Sequence, residues 1–163
     1  MQLYFSFIFK MTSFSNVLII SLDGFSLSTY VVKEMSIIRL DGTYEHYFFA
    51  PPTPLSERSV YERKTIHYSM RHLGQVDWDD GTLPYSMVFS ILKQLQAGVE
   101  VLCHGNMARN FLKKVLPASV NLRDTSGEGK KFPGSLDRMP CGRSHNGRYC
   151  SLAKGFYILD NFL

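Results

Sequence analysis

Cysteine is scarce in this chain, with three residues in 163. A small, odd number of thiols excludes the disulfide framework of a secreted scaffold and fits a reducing compartment and metal ligation instead. Long apolar runs are also missing. No stretch approaches the roughly 20 residues that a membrane-spanning helix needs. The apolar start, Met1 to Phe9, lacks a basic leading segment, Lys10 interrupts it and no small-residue cleavage site follows, which argues against a secretory signal. Internal repeats and low-complexity segments are absent. With 45% hydrophobic and 20% charged residues, the composition is that of an ordinary globular protein. The expectation is one intracellular domain, cytoplasmic or nuclear, over 11–163. Met11 serves as an alternative start, and 1–10 reads as an N-terminal extension.

Acid is thin in the second part of the chain. Residues 103–163 hold 10 Lys/Arg against 4 Asp/Glu, whereas 1–102 hold 8 against 10. A basic half beside an acidic half is the footprint of a nucleic-acid surface, although a merely solvated basic face has the same composition.

What the chain does contain is Cys141-Gly-Arg-Ser-His145-Asn-Gly-Arg-Tyr-Cys150. Two thiols and an imidazole within ten residues are three of the four ligands of a tetrahedral structural zinc site. No fourth ligand lies nearby in sequence.

Periodicity places the elements. Asn16–Leu22 is a continuous apolar, β-branched run, the pattern of a strand buried on both faces, and Asp23-Gly24 reads as the turn that ends it. Glu34–Leu40 and Tyr44–Ala50 read as strands joined by the hairpin signal Asp41-Gly42. Ser56 to Met70 reads as partly helical, capped by Ser56. Leu83–Leu95 has the spacing of an amphipathic helix. Val99–Cys103 is a short buried strand, Asn106 caps a helix over Ala108–Val115, Val120–Leu122 reads as another short strand, and Ser151–Leu163 is the last helix. The fold class is therefore α/β, in the order β-β-β-α-β-α-(β)-loop-α. This order is similar to the ribonuclease H-like arrangement, a mixed sheet with a β-β-β meander start, the first strand in the middle and helices on both faces.

A nuclease of that fold needs clustered carboxylates to hold two divalent ions, Mg or Mn, at the scissile phosphate. The end of the first strand is Ser21-Leu22-Asp23, one acid short of the Asp-x-Glu pair of the DEDD exonucleases. The segment His104-Gly-Asn-Met-Ala-Arg109-Asn-Phe-Leu112 resembles their second motif but has Ala108 and Arg109 where its Asp belongs. The last helix begins Cys150-Ser-Leu-Ala-Lys-Gly155 and has no acid before Asp160. The catalytic centre reads as lost, with Asp23 and His104 as its vestiges. The alternative is an active metal-dependent 3′–5′ exonuclease with an acid set rebuilt from Asp23, Asp79 or Asp80.

The run Val32-Lys-Glu34-Met-Ser-Ile-Ile-Arg-Leu-Asp-Gly42-Thr-Tyr-Glu-His46-Tyr-Phe-Phe-Ala-Pro51-Pro52 resembles the opening of the Maelstrom domain. That family is a ribonuclease H-like branch lacking most DEDD acids. The resemblance implies a structural zinc held by Glu34, Cys141, His145 and Cys150, together with RNA binding and a link to transposon silencing. The spacing within Cys141–Cys150 departs from the family's usual one, so the chain resembles a divergent branch. The layout His72-Leu-Gly74, Trp78, Asp80-Gly81 and His104-Gly105 is similar to that of short mobile-element-associated sequences. Taken alone, Glu34 would read as a surface strand residue. Cys103 reads as a buried strand-end thiol, and His67 and His72 as ordinary histidines.

The basic residues expected to meet phosphates are Arg109, Lys113, Lys114, Arg143, Arg148 and Lys154, with Trp78 and Tyr149 available to stack bases. The expected partner is single-stranded RNA or a nucleic-acid-associated protein. A pure protein-interaction module is the third reading.

Overall fold

The computed structural model describes residues 16–128 and 150–163. Its centre follows from the apolar run identified above. Strand β1 (Val17–Ser26) is buried from Leu18 to Phe25, as a strand covered on both faces must be. It pairs antiparallel with β2 (Tyr30–Arg39), which pairs antiparallel with β3 (Tyr44–Phe48). On its other side β1 pairs parallel with β4 (Glu100–Cys103), and β4 with β5 (Asn121–Asp124). The five-stranded sheet has the order β3-β2-β1-β4-β5, so the meander and the central first strand stand as expected.

Asp23-Gly24 is not the turn expected from sequence. The strand continues through it to Ser26. Asp23 faces Glu34 while Gly24 faces Val32, so Lys33 is the extra residue of a β-bulge on β2. A glycine is needed there because a Cβ on residue 24 would lie 2.0 Å from the Val31 carbonyl oxygen. Lys33 is buried nevertheless. Its ammonium donates to the Trp78 carbonyl (2.6 Å) and to that of Asp80.

Four α-helices are described. Helix α1 (Val60–His72) starts four residues later than Ser56, after a 3-10 turn at Leu55–Glu57. The cap is Ser59, whose hydroxyl accepts from Glu62 N while the Glu62 carboxylate reaches back to Ser59 N. This reciprocal capping box outcompetes Ser56. Helix α2 (Ser86–Lys93) is shorter than Leu83–Leu95, because Leu83 is spent on Phe48 and Ala50 of the strand edge. Helix α3 (Asn106–Val115) is preceded by Gly105 at φ 100, so Asn106 is the first helical residue and not the cap. Helix α4 (Ser151–Phe162) closes the described chain.

Helices cover both faces of the sheet. Leu18, Ile20, Leu22, Met35, Ile37 and Val101 pack against Val88 and Leu92 of α2 and Ala108 and Leu112 of α3. On the opposite face Ile19, Ile38 and Leu102 meet Leu152, Ala153 and Ile158 of α4. Gly155 lets α4 sit close, since a Cβ there would come within 2.4 Å of Ile38 Cδ1. A satellite cluster of Phe25, Val31, Ile66 and Trp78 anchors α1, with Phe25 and Trp78 edge to face at 5.2 Å. No described helix is long and apolar enough to cross a membrane.

Candidate functional site

Alternation along β1 and β2 puts Ile19, Ser21 and Asp23, then Glu34, Ser36 and Ile38, on the face that α4 covers. Four of these six are polar, and all are buried. Buried polar groups must be paired, and α4 supplies the partners. Its first amide, Ser151 N, donates to Glu34 Oε2 at 3.1 Å. The carboxylate thereby satisfies one orphan N–H of the helix start and lies at the positive end of its dipole. Cys150, the residue before that amide, has no capping side-chain bond of its own. Beside it Ser36 Oγ and Ser151 Oγ share a hydrogen bond of 2.8 Å.

Glu34 is 0% exposed. The surface strand residue that its sequence context suggests is therefore corrected: the register opposite Asp23 and the helix over it enclose it completely. Cys150 is buried as well. The other two zinc-site candidates, Cys141 and His145, lie outside the described residues, as do Arg143, Arg148 and Tyr149. Among the described residues no group of three His, Cys, Asp or Glu side chains converges as a metal cage. Glu34 and the backbone of Cys150–Ser151 do meet. A third group stands next to them that the sequence did not single out: His46 of β3, whose Nε2 is 3.8 Å from Glu34 Oε2. That distance is too long for a hydrogen bond, and Nε2 has no hydrogen-bond partner among the described residues. The only signal for His46 is the β2–β3 register, which sets it opposite Ser36.

At the end of β1 the Asp23 carboxylate meets the Lys154 ammonium of α4 at 3.3 Å. The same ammonium donates to the Leu22 carbonyl at 2.8 Å. Burial pushes the Asp23 carboxyl up to about 7; Lys154 works against this shift and the neighbouring Glu34 adds to it. Lys154 is thus directed inward to an acid, away from the exposed basic set in which the sequence placed it.

His104 follows β4. Its Nδ1 is 3.0 Å from Thr125 Oγ1, and the Thr125 hydroxyl donates to the Cys103 carbonyl at 3.1 Å. A hydroxyl has one proton to give, so Nδ1 either donates to Oγ1 while the hydroxyl serves the Cys103 carbonyl, or accepts from it while Thr125 N serves that carbonyl. Burial holds the imidazole below its usual value, Asp124 opposes this, and Lys154 adds to it. The ring lies against Tyr157 and Phe162 of α4. His104 and Asp23 therefore both face the last helix.

No known protein family, curated protein or solved structure matches this chain.

Several expectations fall elsewhere in the molecule. Trp78 is 0% exposed and cannot stack a base; its indole N–H is taken by the Thr53 carbonyl. Asp79 accepts from Leu55 N and Asp77 from Asp79 N, which is turn chemistry. Cys103 is buried at the end of its strand, and burial pushes its thiol up to about 12, far from a reactive thiolate. Arg109, Lys113 and Lys114 are exposed on α3, which packs on the other face of the sheet.

Proposed function

We propose that this chain is a catalytically degenerate ribonuclease H-like domain of the Maelstrom type, stabilised by a structural zinc, that binds single-stranded RNA or partners carried on nucleic acid. One contact carries the reading: Lys154 against Asp23. A two-metal nuclease keeps an acid of its last helix beside the acid that ends its first strand, with divalent ions between them. Here an ammonium takes that place. It neutralises the remaining acid and repels a divalent cation, while Glu34 is engaged by the start of the same helix. The strand order, with an antiparallel meander continued by two parallel strands, supports the fold.

The donor chemistry near α4 suits the zinc expectation as far as the described residues reach. A fully buried carboxylate touches the amide next to a buried thiol, and carboxylate and thiolate are both accepted zinc ligands. Glu34 and Cys150, with Cys141 and His145, would hold the ion. Its contribution would be a crosslink between β2 and the last helix, and a closed four-ligand shell leaves no position for a reacting water.

Two measurements test this. Metal analysis of the purified protein is expected to find about one zinc per chain, with Glu34→Ala lowering both the metal content and the thermal midpoint, the latter by roughly 5 °C or more. Metal-free protein with an unchanged midpoint would refute the structural ion. Incubation with labelled single-stranded RNA and DNA in Mg or Mn is expected to leave both intact. Cleavage that disappears in Asp23→Ala would replace this reading with the exonuclease.

A further inference from the structure

The face of the sheet opposite α4 carries a cleft of about 560 Å³ between the start of β2, the loop before α1, and helices α2 and α3. That size lies within the usual range for a ligand site. Four rings form its wall. Tyr30 and Phe111 meet edge to face at 6.0 Å, Tyr85 and Phe89 at 5.8 Å, and Phe89 and Phe111 join the two pairs at 6.1 Å. All four are only half-buried, so the wall shows ring surface to solvent. It is also held in place, because the Tyr85 hydroxyl accepts from Val32 N.

Three cations stand around these rings: Arg58, Lys93 and Lys114. Among the described residues no acidic one lines the cleft. The two lysines are exposed on the last turns of α2 and α3. Arg58 is more enclosed. Its guanidinium lies over the Trp78 ring at 5.0 Å and is shared with Glu62 at 3.7 Å. Its Nε is buried with no hydrogen-bond partner among the described residues, and the residue lines the cleft.

We propose that this cleft is where the chain takes a nucleotide unit of a single strand, with the base against the ring wall and the flanking phosphates on Arg58, Lys93 and Lys114. The proposal rests on the nucleic-acid reading above and gives it a location. A fixed aromatic wall stacks any base, and cations at its rim track the phosphates, the two elements of sequence-tolerant single-strand binding. Arg also interacts favourably with π-systems. An acidic peptide would carry the same charge, but a peptide laid along β2 finds the Val32 ladder position already filled by Tyr85. Among the described residues, the site shares Lys114 alone with the basic residues expected from sequence. It lies on the α2/α3 side of the sheet, whereas Lys154 belongs to α4 on the other side.

The test uses the full chain and a short fluorescent single-stranded RNA at low salt. The double charge reversal Lys93→Glu/Lys114→Glu is expected to weaken binding by about tenfold or more. The matched reversal Lys64→Glu/Arg71→Glu on exposed α1 changes net charge equally and is expected to weaken it less than about threefold. Because the rings also support the core, they are read without substitution. Photocrosslinking of a 5-bromouridine RNA, mapped by mass spectrometry, is expected to mark Tyr30, Tyr85, Phe89 or Phe111. Equal weakening by both reversals, or crosslinks confined to other surfaces, would overturn the cleft and leave RNA binding standing. A wild-type chain that binds no nucleic acid would overturn the reading beneath it as well. Displacement of the RNA by uridine 5′-monophosphate as readily as by the unlabelled strand would assign the cleft to free nucleotides. Displacement only by an acidic aromatic peptide would assign it to a protein partner. Either result rejects the strand.

Discussion

The two faces of one sheet are built on different physics. Toward α2 and α3 the strands present Leu18, Ile20, Leu22, Met35, Ile37 and Val101, a buried apolar layer. Toward α4 the same strands present Ser21, Asp23, Glu34 and Ser36 among a few aliphatics, all buried. The first face is stabilised by area removed from water, which is non-directional. The second is stabilised by geometry: each polar group needs a partner at a particular distance, and α4 brings Ser151 and Lys154 to meet them. Burying charge in this way rarely yields more stability than a hydrophobic packing of the same volume. On the α4 side Asp23 and Glu34 are buried carboxylates, each met by a group of that helix. Ring surface open to solvent, by contrast, is found on the apolar side, where α2 and α3 leave half-buried aromatic rings beside lysines.

This contrast can be broken experimentally. The largest effect belongs to the apolar face. Leu92→Ala removes a fully buried side chain and is expected to cost about 3 kcal/mol, measured by urea denaturation, with the loss unchanged by a metal chelator. A cost below about 1 kcal/mol would mean that α2 is not packed as described. Lys154→Ala comes next. It leaves Asp23 buried beside Glu34 without its counter-charge, and because the lysine side chain is 21% exposed the expected cost is nearer 2 kcal/mol than the larger penalty of a fully enclosed pair. Adding Asp23→Asn should recover part of that loss. If the double variant is no better than the single, the pair is not what holds α4 in place. The smallest effect tests directionality. Ser36→Ala strands the Ser151 hydroxyl and is expected to cost about 1 kcal/mol, whereas Ser36→Ala combined with Ser151→Ala should cost no more than either alone. Simple additivity in that cycle would show that the 2.8 Å contact contributes nothing.

Much of the fold was legible along the chain. The β-branched run of β1, the Asp41-Gly42 hairpin and the apolar spacing of α2 and α4 predicted elements that exist within a few residues of their expected ends. The misplacements have local causes. Asp23-Gly24 looks like a turn because Gly is a turn former, yet here glycine admits the Val31 carbonyl at a bulge. Ser56 and Ser59 are equivalent as caps until Glu62 is counted three residues after the second. For the site, Glu34 entered only through a resemblance, and its burial was not visible in its neighbours. His46 was not visible at all, because what distinguishes it is the residue across the ladder. The aromatic cleft draws on segments from Tyr30 to Val115, and no window of sequence contains it.

The sequence by itself determined which segments pair and pack, because hydrophobic period is a property of neighbours along the chain. It also determined that Ser21, Ala108 and Arg109 stand at positions where the DEDD pattern it resembles has acids, since residue identity needs no coordinates. Only the tertiary structure decided that Lys154 closes on Asp23 across 131 positions, that Glu34 is sealed beneath the start of α4, and that Trp78 lies inside while Tyr85 and Phe111 remain open. Those outcomes depend on register, on a single bulged residue and on how closely one helix approaches a sheet, and each is set by contacts between segments that are remote in sequence.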